Sequence, residues 1–544
     1  MTPLDDAGLL PPPARPALPG GPQTVAGVLQ RGVAEHPAKP ALVGRHGRFT
    51  YSQLDDAVGR AAAVLASLGV QPGARVAATL ANDVDVVIAF LATMRLGGIW
   101  VGINRPLAAP EKAFMLADAG ASVYLAEPSA AEQLAGARHE VPDLEHLVVV
   151  DRDGSELWRH MLDAAEPGDA PLHDIDPFAP AAIAYTSGTT GFPKGAVHSQ
   201  HNLLVPGHVS TRLGTADPDH VLGVALPLTV LNLMILGPLV AYQAGQTLVA
   251  MDRIDAVGMA EWIREESIAT FSAVPAMIHD LLTNPAVTDD DLRSLVRPGV
   301  GGADMPETFR TLYRERFGTA VTTGYGLTEA PTAVTVEDPA GPLLPGSAGR
   351  PLPQVEILIL DPSGAELPVG EVGEICVRAA TSGPFAGIYT PMLGYWKRPE
   401  ATAEALRGGV LHTKDLGCIG EGGNLFVKDR KADLIIRGGA NVYPAEVERV
   451  LHADPLVAAC AVVGAPDERL GERVVAFVQL APGTEPGDDV AEVLLGRCAR
   501  ELARYKVPEV VHFVDGFDRT PMGKIRKTAL RALVAGAGAT TTAV

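Results

Sequence analysis

The stretch best equipped for chemistry runs from Ala181 to Asn202, AAIAYTSGTTGFPKGAVHSQHN. An apolar, strand-like run ends in Thr186-Ser187-Gly188-Thr189-Thr190-Gly191-Phe192-Pro193-Lys194-Gly195. Hydroxyl side chains interleaved with glycines let backbone N–H and O–H groups converge on an anion, and Lys194 adds positive charge. The loop is not a Walker motif. Pro193 stands where that motif has its second glycine, and Gly195 follows the lysine where a magnesium-binding Ser or Thr is required. A surface turn rich in turn formers has the same composition, but phosphate binding is the favoured reading.

Other residues offer chemistry only in company. Tyr325 lies in Gly324-Tyr325-Gly326-Leu327-Thr328-Glu329, and a tyrosine between glycines is, alone, more often ordinary packing. Asp415 follows Thr413-Lys414 and, taken singly, reads as a turn former. Lys524 lies in the Arg519–Lys527 stretch, whose four basic residues read on composition as a solvated tail. Cys376, Cys418, Cys460 and Cys498 are isolated, with no CxxC and no histidine at zinc spacing. They predict free thiols in a reducing cytoplasm and no structural metal.

These groups must be positioned by a long, alternating chain. Its 544 residues are 47% apolar and 20% charged, which at about 150 residues per domain predicts three to four folding units. The net charge of −20 is spread along the chain, disfavouring nucleic acid or an anionic membrane as partner. Thr50–Leu68 predicts a helix, with Leu54, Val58, Ala61, Ala62, Leu65 and Leu68 on one stripe and Gly69 as a stop. Arg75–Leu80 and Trp100–Ile103 read as buried strands around a second helix, Val86–Leu96. Such alternation predicts crossover units and a mainly parallel sheet. Val221–Ala250 holds no charged residue, yet Pro227, Asn232, Pro238, Gln243 and Gln246 interrupt it, so buried core segments are preferred to a membrane span.

Near residue 345 the texture changes. Val355–Leu360, Gly373–Arg378 and Val410–Thr413 predict a small antiparallel sheet or barrel. Helical Glu446–Leu451 and Val490–Leu502, with strands Ala459–Val463 and Val474–Leu480, predict a compact α+β unit. The expected fold is therefore α/β. A large N-terminal domain (22–429) of doubly wound sheets includes a small β-barrel-like part. A hinge (430–432) joins it to a smaller α+β C-terminal domain (433–534), and tails 1–21 and 535–544 are expected to be disordered.

The phosphate-type loop is followed in order by Gly301-Gly302-Ala303, Gly324–Glu329, His412-Thr413-Lys414-Asp415, Asp429-Arg430, Gly438-Gly439-Ala440-Asn441-Val442-Tyr443-Pro444 and Pro521-Met522-Gly523-Lys524. In this set and order the chain resembles the adenylate-forming superfamily, acid–CoA ligase type, from about residue 25 to 532. The resemblance implies a two-step reaction with ATP, Mg2+ and coenzyme A. A carboxylate attacks the α-phosphate, giving acyl-AMP and pyrophosphate, and a thiol then displaces AMP. Both first-step reactants are anions, so catalysis must come from positioning and charge neutralisation.

By the same resemblance, Thr186, Ser187, Gly188, Thr189 and Thr190 would cradle the β- and γ-phosphates, with Lys194 beside them. Tyr325, between Gly324 and Gly326, would lie on the adenine face, and Gly301, Gly302 and Ala303 would line its edge. Thr328 would contact the α-phosphate and Glu329 would hold magnesium. Asp415 and Arg430 would reach the ribose, and Lys524 would bridge the carboxylate and α-phosphate. The C-terminal domain is expected to swing about Lys431 and Ala432, bringing Gly438, Gly439 and Ala440 to the thiol tunnel.

The chain departs from the family pattern in places. Ala432 replaces the usual hinge Asp or Lys, Lys414 replaces a glycine, and Gln200 replaces a histidine, with His198 and His201 close by. The expected acid pocket holds Val230, Leu231, Asn232 and Met234 on one wall, and Val300, Thr323 and Leu327 with Gly301 and Gly324 opposite. It carries no aspartate for an α-ammonium group and no base for a second carboxylate, predicting an apolar fatty, alicyclic or aryl monocarboxylate. The thiol is CoA or, as the alternative, a carrier-protein phosphopantetheine. A degenerate nucleotide-binding homologue is a third reading, and a homodimer is compatible with the sequence.

Overall fold

The computed structural model describes residues 7–151, 157–186, 193–296, 298–300, 307–322, 324–338, 344, 347–427, 435–442, 444–517, 525 and 527–536. Two large sheets face each other across a shared layer of helices. The first has seven strands in the order Gly394–Tyr395, Lys194–Ser199, Pro180–Thr186, Ile99–Gly102, Arg75–Thr79, Val123–Ala126, His146–Val149. It is parallel except where Lys194–Ser199 pairs antiparallel with both its neighbours. The second has six strands in the order Gly299–Val300, Ile268–Ala273, Val221–Val224, Thr247–Ala250, Pro40–Gly44, Gly47–Thr50, and only its last pair is antiparallel.

The helices Tyr51–Ser67 and Val84–Arg95 fill the space between these sheets. The first starts on a capping box, Thr50 with Gln53, and buries Leu54, Val58, Ala61, Ala62 and Leu65. The second is capped by Asp83, whose Oδ1 accepts from the Val84 amide. Their apolar faces share one core with Leu42 and Leu248 of the six-stranded sheet and Val76 and Ala182 of the seven-stranded sheet. Leu54 is fully buried there, so Leu54→Ala would cost about 2–5 kcal/mol.

The uncharged Val221–Ala250 segment folds inside this core, as strand Val221–Val224, helix Leu231–Met234, a π-helical turn Ile235–Leu239, helix Val240–Ala244 and strand Thr247–Ala250. Pro238 lies in the widened turn, where its missing N–H is tolerated. Among the described residues no helix is long and apolar enough to cross a membrane.

The expected small sheet is antiparallel and four-stranded: Val355–Leu360, Gly373–Ala379, Leu411–Ile419, Leu425–Val427. The C-terminal lobe has a five-stranded sheet, with the long hairpin Val457–Asp467/Gly471–Leu480 at its centre and helices Pro444–His452 and Asp488–Glu501 packed against it. The hinge at 430–432 lies outside the described residues.

One expectation needs correction. From Ala7 onward the Pro-rich start is docked, not disordered. Leu9 and Leu18 are buried, the Leu10 amide donates to the Leu393 carbonyl at 2.8 Å, and Arg15 lies over the Phe178 ring. Prolines lower the entropy lost on ordering, so a few apolar anchors suffice to hold the strap. At the other end, helix Lys527–Gly536 runs into the stretch assigned to the C-terminal tail.

Candidate active site

The phosphate-type loop joins the two strands of an antiparallel hairpin, Pro180–Thr186 and Lys194–Ser199, whose register ends on Thr186 opposite Lys194. Ser187, Gly188, Thr189 and Thr190 lie outside the described residues, but the hairpin fixes both ends of the loop. Lys194 Nζ stands 5.5 Å from the centre of the Tyr395 ring, a cation–π contact. Burial, with the charge of Lys414 second, lowers the lysine's pKa.

Tyr395 also donates its hydroxyl to Glu329 Oε1 at 2.7 Å. The Glu329 carbonyl accepts from the Met392 amide, so Glu329 is tied by side chain and backbone to the 392–395 segment, whose strand Gly394–Tyr395 edges the seven-stranded sheet. The neighbouring Thr328 carbonyl accepts from His198 Nε2 at 2.8 Å. His198 is fully buried on strand Lys194–Ser199, and burial pushes its pKa down to about 4. A neutral ring with Nε2–H therefore pins Thr328 to the strand that ends the phosphate loop.

Tyr325 sits on the same turn, and its hydroxyl donates to Asp415 Oδ2 at 2.6 Å. Its backbone amide donates to Thr335 Oγ1 at 2.9 Å. A Cβ at Gly324 would fall 2.5 Å from the Thr335 carbonyl oxygen, so only glycine permits this close approach. Asp415 is buried on strand Leu411–Ile419, and its amide donates to Thr413 Oγ1. Lys414, in the usual glycine position, has φ +64° and pairs with Glu404 at 2.7 Å. Contacts thus tie Thr328 and Glu329 to the strand and hairpin that carry Thr186 and Lys194, and the turn 324–329 carries Tyr325 with its bond to Asp415, with Gly326 and Leu327 in a short strand paired to Ala330–Ala333.

Gly301, Gly302, Ala303, Thr323, Arg430, Lys431, Ala432 and Lys524 lie outside the described residues. Val300 ends the strand paired with Ile268–Ala273. Of the other pocket residues, Leu231 and Met234 are buried in the central core, Asn232 is half-buried, and Val230 is exposed. In the C-terminal lobe Gly438 and Gly439 form the turn of hairpin Ile435–Arg437/Ala440–Val442, both at positive φ. A Cβ on Gly439 would fall 2.5 Å from Val274 Cγ1, so the turn is seated against the end of strand Ile268–Ala273 in the N-terminal lobe.

Sequence reasoning missed two features. Gln200 is tied to the Met94 carbonyl and the Ala26 amide, and His201 to the Ile388 carbonyl, so it is His198 that supports the site. Period-two alternation along strand Lys194–Ser199 places His198 and Ala196 on one face and was the signal available. Second, Glu374, Cys376 and His412 form the one group of three metal-ligating side chains found among the described residues. His412 Nδ1 is 2.8 Å from Glu374 Oε2 and 3.3 Å from both Cys376 Sγ and an Arg407 guanidinium nitrogen. That guanidinium supplies the local positive charge, and burial with Glu374 pushes the thiol up to about 12, so the cluster fits a hydrogen-bonded brace of the Asp415 strand.

A phosphate-type loop whose ends a hairpin holds, a Tyr–Asp pair and a tethered carboxylate, all in the N-terminal lobe, are the parts a nucleotide-activating ligase requires. The profile of the AMP-binding enzyme family matches residues 29–396, and that of its C-terminal domain matches residues 446–524. The chain belongs to this adenylate-forming family and is an AMP-forming acid–thiol ligase of the acid–CoA ligase type. It is 37% identical over 506 residues to a feruloyl-CoA synthase of an Amycolatopsis species, covering 90% of this chain and 95% of that one. It is 34% identical over 511 residues to a fatty acid–[acyl-carrier-protein] ligase, ScoC, of Streptomyces coeruleorubidus, covering 92% and 94%. Among solved structures it is similar to the amide bond synthetase McbA of Marinactinospora thermotolerans, with a TM-score of 0.80, 31% identity, and coverage of 94% of this chain and all of that one.

Proposed function

We propose that this ligase, in the cytoplasm, activates an apolar fatty, alicyclic or aryl monocarboxylate as acyl-AMP and passes the acyl group to CoA. The observation that carries the reading is the 2.6 Å bond from Tyr325 to Asp415, which joins an aromatic face to a buried carboxylate beside the hairpin ending in Thr186 and Lys194. An adenine face and a ribose diol need that combination. In this reading residues 186–190 and Lys194 hold the β- and γ-phosphates, Asp415 and Arg430 the ribose, and Gly301–Ala303 the adenine edge. Thr328, fixed by His198, presents its hydroxyl to the α-phosphate.

Glu329 is a hard oxygen donor whose Oε1 already accepts from Tyr395, and it fits magnesium, which binds through one or two carboxylates plus substrate phosphates. Magnesium there would neutralise charge on the triphosphate. Lys524 would offset charge as the carboxylate approaches phosphorus. The acid's tail would meet Val230, Asn232 and Leu327, with no charged residue between Val221 and Ala250 to hold a second polar end. The four cysteines, free and buried, fit a reducing compartment that also supplies ATP and CoA.

Carrier-protein phosphopantetheine is the second reading for the thiol, favoured by the likeness to the ScoC ligase. Pyrophosphate release over a panel of short, long, alicyclic and aromatic acids, followed by product analysis with CoA and with carrier proteins, tests both. The expected result is turnover of an apolar monocarboxylate, a CoA thioester as product, and none with free α-amino acids. Strong activation of glycine or phenylalanine would overturn the pocket argument, and thioester formed only on carrier protein would select the second reading.

A further inference from the structure

We propose that Lys506, gripped by Glu111 and Glu446, is a positioning residue that seats the C-terminal lobe for the acyl-transfer half of the reaction, an inference that rests on the two-step reading above. Lys506 ends the turn Arg504–Lys506 of the C-terminal lobe. Its Nζ is 2.7 Å from Glu111 Oε1, at the first turn of the N-terminal-lobe helix Ala109–Ala119, and 2.8 Å from Glu446 Oε2 on helix Pro444–His452 of its own lobe. All three side chains are at most 10% exposed. The two carboxylates outweigh the burial that opposes charge and keep the ammonium protonated.

The contact is built on both sides. Glu111 Oε2 accepts from the Ala108 amide of its own helix and, at 3.0 Å, from the Ala503 amide of the other lobe. Ala503 is buried in an N-terminal-lobe cluster, and Tyr505 packs against that cluster and against the C-terminal-lobe core together. The 503–506 turn is therefore a plug in the N-terminal lobe.

The plug is wired to the Gly-Gly hairpin. The Tyr505 carbonyl accepts from Arg437 Nη1 at 2.9 Å, and Arg437 immediately precedes Gly438 and Gly439, whose turn rests on Val274. Seating Lys506 on Glu111 thus fixes where the hairpin meets the N-terminal lobe. A buried ion pair contributes little net stability but penalises misplacement severely, because one partner withdrawn leaves a buried charge alone. Its best-attested use is to fix register.

Glu111→Gln is the primary variant, because it keeps the helix-cap acceptor and leaves Lys506–Glu446 intact within the C-terminal lobe. In the full-length enzyme, pyrophosphate release without acceptor should stay within about 3-fold of wild type, while single-turnover transfer from acyl-AMP to CoA falls about 10-fold or more. Lys506→Met should give the same split, more deeply. Hydrogen exchange on the unliganded chain supplies a readout independent of any substrate: the Ala503 amide should be protected in wild type and exchange about 10-fold faster in Lys506→Met, which removes the ion pair and leaves Glu111 Oε2, the Ala503 acceptor, in place. Equal slowing of both half-reactions, unchanged transfer, or an Ala503 amide unaffected by the substitution would each overturn the proposal. Absence of any acyl-AMP in wild type would instead overturn the two-step reading, and the exchange measurement would still decide the seating.

Discussion

The Tyr325–Asp415 bond yields a prediction in which one pair of substitutions tests both residues. Asp415 is buried and takes a short, charge-assisted bond from Tyr325, so the role proposed for it, accepting ribose hydroxyls, depends on a carboxylate held in place. Hydrogen bonds to a charged acceptor contribute about 1.5–3 kcal/mol and to a neutral one about 0.5–1.5 kcal/mol. Asp415→Asn weakens two ribose bonds in this way, a loss of about 2–3 kcal/mol or about 30–150-fold in ATP affinity. Tyr325→Phe removes one donor and leaves the buried carboxylate under-satisfied, costing about 1–2 kcal/mol or about 5–30-fold. Because the Phe substitution hurts only when the carboxylate is there, the double variant should bind ATP better than the product of the single effects, by about 1 kcal/mol. Calorimetric titration of ATP into the four proteins, without acid, measures this. Asp415→Asn binding ATP within 2-fold of wild type, or strictly multiplicative effects, would refute the shared site.

Lys524→Ala is expected to slow ATP–pyrophosphate exchange by about 10²–10³-fold, the scale of losing one preorganised donor, and exchange near wild type would remove Lys524 from the chemistry. His198, pushed down to about 4 from 6.5, refuses in the folded protein a proton that the unfolded chain accepts below about 6.5. Its effect is therefore nil above pH 6.5 and withdraws stability as pH falls towards 4, by about 2 kcal/mol at pH 5, so His198→Asn should lose less thermal stability than wild type between pH 7.5 and 5. Lys414, at φ +64°, carries left-handed strain of about 1 kcal/mol, while its exposed pair with Glu404 returns little. Urea denaturation should accordingly rank Lys414→Gly as more stable than Lys414→Ala, and the reverse order would contradict that backbone conformation.

Part of the candidate site was legible because its chemistry is local. The hydroxyl–glycine loop declares itself by type and spacing, and the alternating helices and strands around it by period, whereas Tyr325 and Asp415 gain meaning only from the ordered set of motifs. What was hidden is what the fold brings together over long separations. Lys506 meets Glu111 across 395 residues, and Cys376 meets His412 across 36. Neither pair has a local signature. Leu231 and Met234 read as an uncharged pocket wall, and both are buried in the central core, because an apolar run says only that water is excluded. The Pro-rich start read as disorder from composition, because a strap held by Leu9 and Leu18 has too few anchors to register in an average.

The buried cysteines have a practical consequence. Burial pushes Cys376, Cys460 and Cys498 up to about 12, and Cys418 is covered as well, so the native thiols are nearly silent towards maleimides at neutral pH. One cysteine introduced on the surface of each lobe would then react alone, giving a doubly labelled enzyme without stripping the native background. Fluorescence transfer between such labels would measure the distance between the lobes at each stage of turnover and so test the proposed swing.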